Sequence, residues 1–81
     1  MNNRFAITSL GNHVLPDDLA SATDANVESV LLRAAAFLGY PTEVVTIERV
    51  ASVIGGSCIP CTDVIASVGG TRMLVATPAL Y

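Results

Sequence analysis

The chain has 81 residues, 52% of them hydrophobic, and a formal net charge of −3. That length suits one small domain, spanning 1–81, with a modest core. The basic residues are Arg4, Arg33, Arg49 and Arg72, with no Lys, so there is no basic patch to neutralise phosphates, and neither nucleic acid nor an anionic lipid surface is an expected partner.

The N-terminus, Met1-Asn2-Asn3-Arg4-Phe5, has no apolar run of the kind a Sec-type signal peptide needs, which favours a cytoplasmic location. No window reaches about 18 unbroken apolar residues, so a spanning helix is not expected. A membrane enters only if the chain is cut to an exported peptide.

In chain order, Arg4 to Leu10 reads as a short strand with Phe5 and Ile7 on one side. Gly11-Asn12 breaks it. Pro16-Asp17-Asp18-Leu19 reads as a single helical turn, with proline first and acids at the positive helix end. An amphipathic helix is expected over 24–38. Thr23 or Asp24 caps it, Val27, Val30, Leu31, Ala34 and Leu38 form one apolar stripe flanked by Phe37, and Gly39 followed by Pro41 ends it.

From Thr42 to Ile54 two patterns compete. Val44, Val45 and Ile47 suit a strand by propensity, whereas Ile47, Val50, Ala51 and Ile54 suit a helix by spacing. The spacing favours a helix over 46–54. A further short helix is expected over 60–68, capped by Ser57 and closed by Gly69-Gly70. Its rival is a hairpin in which Val64 to Val68 turns at Gly69-Gly70 into a strand from Thr71 to Ala76. Thr77-Pro78 is expected to end that strand. The terminal strands then pair, giving a small mixed α+β domain with the long helix across the sheet. An all-α fold is the alternative.

The last third is almost free of charge. From Val50 to Tyr81 only Asp63 and Arg72 are ionic. An apolar surface larger than a small core can use is normally covered by a partner. This leads to the expectation of a non-enzymatic protein–protein interaction module, either a homo-oligomer or a small accessory subunit of a larger assembly, including a viral one. Ile59, Met73, Leu74 and Leu80 are the expected interface residues, with Tyr81 at the rim.

Two local motifs point elsewhere. Cys58-Ile59-Pro60-Cys61 has redox-motif spacing, and a thiol at a helix N-terminus is more acidic and so more reactive. The motif resembles the Cys-x-Pro-Cys of thioredoxin-like proteins, and Thr77-Pro78 resembles their cis-proline loop. The resemblance implies thiol–disulfide chemistry at Cys58 and Cys61, although the chain has no aromatic before Cys58 and no long βαβ unit. A zinc site needs about four ligands, and the two sulfurs have only His13 and a carboxylate to join them.

The second motif is Val45, Val50, Val53 and Gly55-Gly56, which resembles the end of a double-glycine leader. That resemblance implies a cut after Gly56 and release of residues 57–81 as an exported peptide.

His13, the single histidine, reads as a loop residue, and Asp17-Asp18 as a solvated helix start. Gly55-Gly56-Ser57 and Gly69-Gly70-Thr71 lack the lysine of a phosphate loop. Ile47 to Val64 threads onto a helix-turn-helix, but its second helix offers bases no Arg, Lys, Asn or Gln. No cofactor and no catalytic residue is expected.

Overall fold

The computed structural model describes residues 4–11, 13–53 and 60–79, without the side chains of 52, 53, 60, 61 and 79. In chain order these residues form β1 (Arg4–Ser9), a 3-10 turn (Asp17–Leu19), β2 (Ser21–Thr23), α1 (Val27–Phe37), a second 3-10 turn (Thr42–Val44), β3 (Val45–Val53), β4 (Pro60–Val68) and β5 (Thr71–Ala79). The strands make one antiparallel sheet in the order β2-β1-β5-β4-β3.

This overturns the expected architecture. The described residues are mostly antiparallel sheet with a single α-helix, not a mixed domain with several helices and not all-α. The expected helix at 46–54 is β3, and the one at 60–68 is β4. In β3 the helical spacing of Ile47, Val50 and Ala51 loses to the β-branched residues, which suit a half-buried pleated surface. In β4 the run Val64-Ile65-Ala66 is buried at all three positions, in a strand flanked on both edges by β3 and β5. The helix-turn-helix threading of 47–64 falls with these two corrections.

The hairpin joining β4 to β5 has a two-residue turn. Val68 pairs with Thr71, and Gly69 and Gly70 between them have φ of 60° and 83°. Positive φ at both central residues is the signature of the type I′ turn, whose twist matches that of the flanking strands. Thr77-Pro78 does not end β5. Pro78 lies within it, opposite Phe5 of β1.

Helix α1 starts at Val27, three residues later than expected, with Asn26 before it. The Asn26 Oδ1 accepts from the Thr23 backbone N–H at 2.8 Å and from the Thr23 hydroxyl at 3.2 Å, so Asn26 folds back on β2 instead of capping the helix. At the other end Gly39 has φ 99°, Tyr40 N–H reaches Ala35 O at 2.9 Å, and Gly39 N–H reaches Ala36 O at 3.0 Å. This is a Schellman ending, and Pro41 follows it.

The helix lays Val27, Val30, Leu31, Ala34 and Ala35 on the sheet, where they meet Phe5, Ile7, Ala22, Val64, Ala66, Leu74 and Ala76. Ala34 and Ala76 are completely buried, so the helix backbone comes close to the sheet. Leu74 and Leu31, also without exposure, fill the space around them. β1 pairs with β5 from Arg4 opposite Ala79 to Ser9 opposite Leu74.

β4 and β5 occupy the middle of the sheet, and the burial of Val64, Ile65, Ala66, Leu74 and Ala76 accounts for part of the missing charge in these strands. Val64, Ala66, Leu74 and Ala76 serve the core beneath α1. Ile65, 3% exposed and outside the main core cluster, lies on the opposite face between Glu48 and Val75 in the register.

Candidate interaction surface

Alternation along β3 sets two rows. Val45, Ile47, Arg49 and Ala51 point to the α1 side, and Thr46, Glu48 and Val50 to the other, as their register with β4 requires. Val45, Ile47 and Val50 are half-buried, while Thr46, Glu48, Arg49 and Ala51 are exposed. All nine residues of β3 pair with β4, from Val45 opposite Val68 to Val53 opposite Pro60. Among the described residues nothing pairs with the outer side of β3. An antiparallel edge strand directs alternate N–H and C=O groups outward, so this side is a row of unpaired donors and acceptors.

The two edges of the sheet are unequal. β2 offers three residues and β3 nine. β3 carries no proline and, in its pairing with β4, no bulge. The one irregularity falls between β4 and β5, where Ala66 pairs with Leu74 and Ser67 with Arg72, leaving Met73 as the extra residue.

Charge on β3 is arranged on opposite sides. Arg49 on the helix side bonds Glu28 of α1, at 3.0 Å from Nη2 and 3.3 Å from Nε to the same Oε2. Glu48 on the other side lies in an open polar depression with Thr46, Ser67, Gly70 and Arg72. Asp63, opposite Val50, has a buried Oδ1 with no hydrogen-bond partner among the described residues. Exposed apolar groups collect where β3 begins. Val44 is 44% exposed, and Phe37 at the end of α1 is 56% exposed. Leu10, directly after β1, is 53% exposed at the same end of the sheet, since β1 and β4 end where β3 and β5 begin.

The residues expected to form the interface are placed differently. Leu74 is fully enclosed by the core, so its apolar side chain is explained without a partner. Met73 is half-buried, packs against the core, and accepts the Leu10 N–H on its carbonyl at 3.0 Å. Ile59, Leu80 and Tyr81 lie outside the described residues, as do Cys58, Gly55 and Gly56. Cys61 stands in β4 opposite Ser52.

The double-glycine reading carries a structural consequence. A cut after Gly56 would part β3 from β4 and β5 and remove Val64, Ala66, Leu74 and Ala76 from the core. Pro78 sits in a strand, not in the loop that the thioredoxin-like resemblance implies. Among the described residues no group of three or more His, Cys, Asp or Glu is placed to hold a metal, and no helix is long and apolar enough to cross a membrane.

The feature that sequence reasoning missed is the β3 edge itself. The signal for it was the cluster of β-branched residues at 44–53. Comparison with protein-family models, curated proteins and solved structures finds no match to this chain.

Proposed function

We propose that this chain is a non-enzymatic protein–protein interaction module that joins an assembly by strand addition at β3. The single observation that carries this reading is the nine-residue edge strand with no partner on its outer side among the described residues. Main-chain pairing at such an edge gives affinity, and alternate side chains give selectivity. The exposed Val44 at the start of the strand adds apolar area to the same surface.

The charge-poor C-terminal third supports this reading less than β3 does, because Leu74 and Ala76 of β5 lie in the core. Native mass spectrometry of the untagged chain from its natural source tests the reading. It expects a species heavier than the 8.4 kDa of one chain. A lone chain under all gentle conditions overturns it.

A further inference from the structure

Resting on that strand-addition reading, we propose that the occupant of the β3 edge is a second copy of this chain, paired antiparallel about a two-fold axis with Ile47 opposite Ile47 of the second copy. In an antiparallel pair, residues directly opposite share a face, so a two-fold axis perpendicular to the sheet passes midway between the two copies of one central residue. Only a few centres are available on β3, and their side chains discriminate among them.

A centre at Glu48 sets two carboxylates opposite each other, and a centre at Arg49 does the same with two guanidiniums. Like charges directly opposite are destabilising. A centre at Val50 also avoids this, over residues 47–53, but leaves the exposed Val44 and the half-buried Val45 uncovered. A centre at Ile47 sets Thr46 opposite Glu48, Val45 opposite Arg49, and Val44 beside Val50. No like charges meet. The 44%-exposed Val44 is covered, and the half-buried Ile47 rows of the two cores become continuous. Arg49 enters this arrangement already held by Glu28.

The edge lengths also favour a second copy over an open chain of subunits. Once two β3 strands pair, the edges that remain are the two β2 strands of three residues each. Edges that short do not add strands readily, so the assembly closes at two.

Sedimentation equilibrium on the full chain, over about 1–100 µM, tests the proposal. The wild type is expected to dimerise. Thr46→Asp puts an acid opposite Glu48 twice per dimer and is expected to weaken dimerisation about ten-fold or more. Adding Glu48→Lys to Thr46→Asp turns both contacts attractive and is expected to restore it. Ser21→Asp, the same charge on the exposed β2 edge, is expected to leave the dimer intact. Far-UV circular dichroism confirms that each variant is folded. A monomeric wild type, a dimer indifferent to Thr46→Asp, or equal weakening by Ser21→Asp would each overturn the proposal. A monomeric wild type that still runs in a heavier native complex would overturn only the self-pairing and leave strand addition to a different partner in place.

Discussion

Arg49 of β3 and Glu28 of α1 share one carboxylate oxygen, Oε2, through two donors of the guanidinium at 3.0 and 3.3 Å. The pair ties the first turn of the helix to the edge strand. Its side chains are 46% and 55% exposed, so water and salt weaken the attraction. Glu28→Gln is expected to lower stability by about 0.5 kcal/mol, less at high salt. A double-mutant cycle with Arg49→Met, followed by urea unfolding, reads the coupling. A coupling above about 2 kcal/mol would show the pair to be shielded in a way this exposure does not allow.

Leu74 and Met73 are neighbours with opposite fates. Leu74 is fully buried, and Met73 is a half-buried bulge residue. Leu74→Ala is expected to remove about 2–5 kcal/mol, which approaches the entire folding free energy of a domain this small. Met73→Ala is expected to remove about 1 kcal/mol, because a partly exposed side chain leaves less of a cavity. Thermal unfolding by circular dichroism separates the two. Equal losses would contradict the assigned register.

The sequence carried some of this fold plainly. The stripe from Val27 to Leu38 and the Gly39-Pro41 ending specify α1 on their own, since a helix of that pattern needs only one apolar face to bury. Phe5 and Ile7 marked β1 through simple alternation. β3 was obscure because edge strands are half-buried, and Ile47, Val50 and Ala51 satisfy a helical period by coincidence while Arg49 interrupts the strand period on the core side. Glu28 of α1, bonded to Arg49, accounts for that interruption. β2 was illegible because three residues carry too little pattern, and its placement depends on pairing with β1. Leu74 was expected at a surface and is buried in the core, because absence of charge does not distinguish an interior strand from a covered surface.

The turn at Gly69-Gly70 is held by backbone conformation and not by crowding. A Cβ at either position meets nothing within 4 Å, yet both φ values are positive. Gly70→Ala is therefore expected to destabilise by about 1 kcal/mol, the usual penalty for a side chain in the left-handed region. Gly69→Asn is expected to be nearly neutral, because asparagine tolerates the first position of a type I′ turn. Chemical unfolding of both variants checks the contrast. A neutral Gly70→Ala would contradict the turn geometry.

Asp63 spends an acidic side chain in the middle of the sheet with its Oδ1 buried and without a partner among the described residues. Asp63→Thr replaces a poor strand former by a good one and removes the orphaned acceptor. It is expected to raise stability by about 1 kcal/mol. Loss of stability in this variant would show that the carboxylate makes a compensating interaction.

Residue-resolved amide hydrogen exchange on β3 tests the interaction surface most directly. The amides of β3 that face away from β4 are expected to exchange rapidly in the dilute single chain and to slow at least about ten-fold when the chain is assembled, while those facing β4 are slow in both states. Outward amides that stay equally fast in the assembled state, with new protection appearing on another element, would contradict the claim that β3 is where this protein meets its partner.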